Sequence, residues 1–133
     1  MTTETNDARD NAHAWAQTIA DMVRALEADC EGPEDDAREA ILESPLSVSV
    51  RSDWYSPGAE PEAVEYQILL SWGGPSLRIT GQLGAHGEAG TAHLEYQDWG
   101  TPWTRYHPAH GEALFDSHNA DVLTFAQQFF FGE

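Results

Sequence analysis

The apolar pattern of the chain changes period at Pro45. Before it, Trp15, Ile19, Met22, Val23 and Leu26 recur at spacings of four, three, one and three, which is one face of a 3.6-residue helix. After it, Leu46, Val48 and Val50 alternate with Ser47, Ser49 and Arg51, the period of a strand with one face half-buried. Helices packed on one face of an antiparallel sheet make an α+β domain, and the rest of the pattern extends this reading.

The first helix is expected over about residues 8–28, with Asp7 as N-cap and Asp10 near the positive end of the macrodipole. Residues 1–7 are expected to be disordered. Gly32-Pro33 breaks the chain, and Pro33 suits the first turn of a second helix. That helix carries Ala37, Ala40 and Ile41 as a narrow apolar face and ends near Ser44. Strands follow at Leu46–Val50, at Val64-Tyr66-Ile68-Leu70-Trp72, at Leu77-Ile79-Leu83 and at Ala92-Leu94-Tyr96. Pro57-Gly58, Gly73-Gly74-Pro75 and the glycine-rich stretch 84–90 supply the turns. Ser76, Arg78, Thr80 and Gln82 are expected to face outward. Residues 99–111 have no clear period and read as an ordered aromatic loop. Asn119 is expected to cap a last helix carrying Val122, Phe125, Ala126 and Phe129 and ending at Gly132. The expected architecture is two N-terminal helices, a four-stranded antiparallel meander and a C-terminal helix, in one acidic domain over 1–133.

Charge bears on function more than on fold. The chain has 23 Asp and Glu against six Arg and no Lys, a formal net charge of −17. Self-repulsion on this scale opposes compaction, so a basic partner or a screening environment is expected to have favoured it. The excess is −9 over residues 1–45 and −8 over the remainder. Direct binding to nucleic-acid backbone needs clustered Lys and Arg, which are missing. No stretch reaches the roughly 18 apolar residues of a membrane span, and the acidic start does not read as a signal peptide. One cysteine, Cys30, gives no internal disulfide, and a cytoplasmic setting is expected. Asp29 and Glu31 beside it disfavour a reactive thiolate.

Three groups of residues compete for a role. The first is the acidic stretch Glu27, Asp29, Glu31, Glu34, Asp35, Asp36, Glu39 and Glu43, offset only by Arg38. Acids at i, i+3 and i+4 sit roughly 5–6 Å apart on a helix, a density comparable with that of DNA phosphates. The ordinary reading of the same residues is a solvated helix end, or adaptation to high salt. The second group is the run Tyr96 to Tyr106, in which Tyr96 reads as core. Trp99 and Trp103 stand between pinning the loop onto the core and anchoring a partner. The third is His107, His110 and His118 with Glu112 and Asp116, which has the spacing of a weak metal site. Solvated loop histidines account for it better, and no metal or other cofactor is expected. Paired carboxylates are inevitable among so many acids and single out no catalytic pair. No phosphate-binding loop or nucleophile motif is present, so the expectation is a protein that is not an enzyme.

Glu65-Tyr66-Gln67-Ile68-Leu69-Leu70, Gly73-Gly74-Pro75 with Arg78-Ile79, the run Leu94 to Thr104 (LEYQDWGTPWT) and Phe129 to Glu133 (FFFGE) together resemble small open reading frames of temperate phages. The resemblance covers about half the chain and leaves out the helical third. It implies phage origin and, with the acidity, an antagonist of host defence of the anti-CRISPR or anti-restriction kind. Such a protein is expected to work in the host cytoplasm as a DNA mimic. It would occlude the basic nucleic-acid-binding surface of a defence complex through the acidic stretch, with Trp99 and Trp103 as anchors. The alternative is a small binding domain made acidic for high salt, with no mimicry.

Overall fold

The computed structural model describes residues 7–28, 34–72, 76–84, 87–98, 102–112, 114–129 and 131. The order is α1 (Asp7–Ala28), α2 (Glu34–Glu43), β1 (Ser47–Ser52), β2 (Ala63–Ser71), β3 (Ser76–Gln82), β4 (His93–Gln97), β5 (Thr104–Arg105) and α3 (His118–Ala126). The strands form one antiparallel sheet in the order β1-β2-β3-β4-β5, so each strand pairs with its neighbours in sequence. The domain is α+β, with the helices on one face of the sheet.

Period explains which side chains meet. The stripe Ala12, Ala16, Ile19, Ala20 and Val23 of α1 is buried, with Trp15, Met22 and Leu26 partly buried beside it. Its alanines let α1 lie close against α3, which contributes Val122, Phe125 and Ala126. Across from them the sheet presents Tyr66, Ile68 and Leu70 of β2, Leu77 and Ile79 of β3 and Leu94 of β4. Ile68 pairs with Ile79, and Ile79 with Leu94, so the core is a row running across three strands. Each such side chain contributes roughly 1.5–3 kcal/mol on full burial.

One glycine in that row is there for its missing side chain. Gly81 pairs with Tyr66, and a Cβ at that position would lie 2.7 Å from the Thr91 carbonyl carbon, closer still to its oxygen, and 2.8 Å from Tyr66 Cε1. The close approach lets the Tyr66 hydroxyl donate to the Thr91 carbonyl at 2.6 Å, and Phe131 stacks on the Tyr66 ring at 4.6 Å. Burial pushes the Tyr66 phenol above its ordinary pKa.

Several expectations need correction. The sheet has five strands, because Thr104–Arg105 within the aromatic loop pairs with Tyr96 and Glu95. β1 alternates as expected but is not half-buried on its apolar face: Leu46, Val48 and Val50 are 63%, 42% and 46% exposed. They point to the helix side of the sheet, yet α1 and α3 pack over β3 and β4. Trp72 falls just past β2 and is exposed. Ser76, expected outward, is buried. Asp7 is already helical rather than the cap preceding the helix. Asn119 lies inside α3, whose N-cap position is Ser117, and the helix ends at Ala126, with Phe129 past its end. Cys30, Pro33, the Gly73-Gly74-Pro75 turn and residues 1–6 lie outside the described residues.

Candidate functional site

The acidic residues occupy several elements. Glu27 ends the exposed face of α1, and Glu39 and Glu43 are exposed on α2 beside Arg38. Glu34, Asp35 and Asp36 form the first turn of α2. Asp29 and Glu31 lie outside the described residues. Exposed acids also occur far from this stretch: Asp10 and Asp21 on α1, Asp53, Glu60 and Glu62 between β1 and β2, and Glu88 before β4.

Four of the six Arg pair with acids of the same chain. Arg24 pairs with Asp21 at 3.6 Å, Arg9 with Glu112 at 3.4 Å and Arg78 with Glu95 at 2.7 Å, while Arg51 pairs with Glu65. Four of the six Arg thus neutralise four specific acids. The remaining carboxylates set the outward field.

The sheet face opposite the helices is an open polar trough of about 630 Å³. Arg78 is among the residues that line it. Its Nε donates to Glu95, its Nη1 donates to Gln67 Oε1 at 2.9 Å, and its guanidinium carbon sits 4.1 Å from the centre of the Trp103 ring. Trp103 is half-buried and lies over Arg78, a cation–π pair worth about 1 kcal/mol. Trp99 lies outside the described residues. Arg51 and Glu65 flank the trough, and their charges cancel, as do those of Arg78 and Glu95. The His93 imidazole beside them is held below its ordinary pKa by burial and by Arg105. With Arg105 also lining it, the trough carries three Arg against two Glu, a small cationic excess on an acidic chain.

The histidines that suggested a metal site do other work. His118 is 4% exposed, a correction to the solvated reading, and meets the Tyr106 ring edge-on at 5.1 Å. Burial, with His107 and His13 nearby, lowers its pKa to about 4. His110 packs on Phe115 at 4.7 Å. Among the described residues no three His, Cys, Asp or Glu side chains are placed to hold a metal ion.

These rings belong to a clasp that the sequence reading missed. Arg9 and His13, four residues apart on α1, face the segment 106–112. Arg9 Nη2 donates to the His107 carbonyl at 3.0 Å and to Glu112, and its guanidinium lies 5.1 Å from the Tyr106 ring centre. His13 Nδ1 and the Tyr106 hydroxyl share a short hydrogen bond, and His13 lies 3.7 Å from Glu112. Glu112 also accepts from the Ala109 N–H. That bond, followed by His13 and Arg9, holds its carboxyl below the usual range despite some desolvation. The available signal was the i, i+4 spacing of Arg9 and His13 on one helix face.

No family model, curated protein or solved structure matches the chain. Among the described residues no helix is long and apolar enough to cross a membrane.

Proposed function

We propose that this is a non-enzymatic binding protein whose acidic surface occludes the basic, nucleic-acid-binding surface of a partner. The observation that carries the reading is the disposition of charge. Four Arg are engaged in specific pairs with Glu112, Asp21, Glu65 and Glu95, in a chain of net charge −17. The α1–α2 region then offers Glu27, Glu39 and Glu43 to solvent, and Glu34, Asp35 and Asp36 lie in the same short helix. Such a field steers a basic partner and speeds its association. The resemblance to temperate-phage reading frames makes a host defence complex the partner class we favour. The sites of contact are Glu27, Asp29, Glu31, Glu34, Asp35, Asp36, Glu39 and Glu43.

The test is capture from lysate of a candidate host at low salt, with elution along a salt gradient. The expected result is a nucleic-acid-binding complex that elutes late and loses DNA binding when the protein is added. Replacing Asp35 and Asp36 with Asn and Glu39 with Gln should abolish retention with the melting temperature unchanged or raised. Normal retention of that triple variant would refute the reading.

The spread of exposed acids onto Asp53, Glu60, Glu62 and Glu88 favours a second reading, acidity as adaptation to high salt. It predicts stability that rises steeply into molar salt and no partner retained at low salt.

A further inference from the structure

The two edges of the sheet are unlike. β5 is two residues long, which blunts that edge. β1 is six residues long and, among the described residues, pairs with β2 alone and leaves its other side unpaired. From Pro45 to Val50 it carries no charge and, within the strand, no proline, although charges and prolines are the usual protection of an open edge. Its apolar row, Leu46, Val48 and Val50, is uncovered, Leu42 of α2 is 42% exposed, and Trp54 and Tyr55 just beyond β1 are 100% and 55% exposed. The exposed area of these six residues is on the order of 700 Å², against the roughly 800 Å² per partner that a stable interface buries.

We propose that β1 is a homodimer edge, pairing antiparallel with β1 of a second copy about a two-fold axis to make a ten-stranded sheet. Charge selects this occupant. A second copy brings another net charge of −17, so two copies meet most readily on a surface that carries no acid. The neutral strip Pro45–Val50 is such a surface, whereas a basic partner would be drawn to the acids elsewhere.

Register makes the pairing specific. With Ser49 opposite its own symmetry mate, Val48 falls opposite the second copy's Val50 and Val50 opposite its Val48. Arg51 then stands opposite Ser47, so no like charges face each other. This inference stands apart from the acidic-partner reading, since it uses a different surface. Screening of the net charge should strengthen the dimer as the Debye length falls from about 10 Å at 0.1 M salt to about 3 Å at 1 M.

Sedimentation equilibrium from 5 to 200 µM (roughly, a range spanning ordinary dimer affinities) at both salt concentrations tests it. The expected result is a monomer–dimer equilibrium displaced toward dimer in 1 M salt. The double variant Val48→Lys, Val50→Lys should weaken dimerisation by at least about tenfold while circular dichroism stays unchanged, as substitutions at exposed positions allow. In a Cys30→Ser background, oxidised Ser49→Cys should cross-link to a dimer, because facing residues fall within disulfide reach, whereas Arg51→Cys should not. A wild-type protein that stays monomeric throughout at 1 M salt overturns the proposal. So does a dimer that survives the double lysine variant or cross-links through position 51 and not 49.

Discussion

His118 gives the sharpest quantitative test of the packing described above. Its imidazole is buried at the start of α3, against the edge of Tyr106, with a folded-state pKa of about 4 against an ordinary 6.5. The folded pKa lies below the unfolded one, so the folded state holds His118 neutral. Above pH 6.5 neither state binds the proton, and stability is complete. As pH falls from 6.5 toward 4 the unfolded chain takes up a proton that the folded chain refuses, and stability is lost. At about 1.4 kcal/mol per pKa unit the full loss is about 3 kcal/mol. For a domain of this size that corresponds to roughly 8–12 °C in melting temperature. Leu has nearly the volume of His and cannot titrate. The assay is urea unfolding of wild type and His118→Leu at half-unit steps from pH 7.5 to 4. Protonation of surface carboxylates relieves self-repulsion in both proteins and drops out of the difference. The variant should gain about 3 kcal/mol on wild type between pH 6.5 and 4, with a flat difference above pH 7. A difference that stays flat through pH 5 would refute the reasoning, since His118 would then titrate freely in the folded protein.

Two further substitutions probe the sheet. Gly81→Ala should destabilise by about 3–5 kcal/mol, read by chemical denaturation, because the new Cβ forces β3 away from the Thr91 carbonyl and breaks the Tyr66 hydrogen bond. A loss under 1 kcal/mol would mean that the 66–81–91 contact is slack. Arg78→Met should cost about 2–3 kcal/mol by leaving the part-buried Glu95 carboxylate without its cation. The double variant Arg78→Met, Glu95→Gln should recover at least half of that, whereas no recovery would mean that Arg78 matters only as packing beneath Trp103.

Periodicity made α1, β2 and β3 legible, because a helix or strand between two packed neighbours must place every apolar residue on one face. The same logic overreached at β1. Alternation of Leu46, Val48 and Val50 specifies that one face is apolar, and only the placement of α1 and α3 decides whether anything covers it. β5 escaped because two residues carry no period, and Thr104–Arg105 is defined solely by pairing with Glu95 and Tyr96. Asn119 and Ser117 are both good caps by chemistry, and the Leu114 carbonyl, which accepts from the Ser117 and His118 N–H groups, shows the turn entering the helix earlier. The acidic stretch was visible as composition. Which acids Arg9, Arg51 and Arg78 pair with was not, because those partners come together in the fold: Arg78 meets Glu95 across a strand pair, and Arg9 meets Glu112 across most of the chain.

The clasp between α1 and segment 106–112 has a consequence for the order of assembly. Arg9 and His13 find their partners 93 to 103 residues further along the chain, and α1 packs on α3, β4 and β3 as well as on α2. On a ribosome α1 emerges before the sheet, yet its alanine-rich face must wait for β3, β4 and α3 before it is covered. Most of a helix's stability in a protein comes from packing its apolar face, and closing so long a loop carries its entropic cost before any contact offsets it. The meander, whose strands pair with their neighbours in sequence, has no such delay. Vectorial synthesis therefore favours a sheet-first route in which α1, made before the sheet, is secured after it, and while it waits its apolar stripe is what a nascent-chain chaperone would meet.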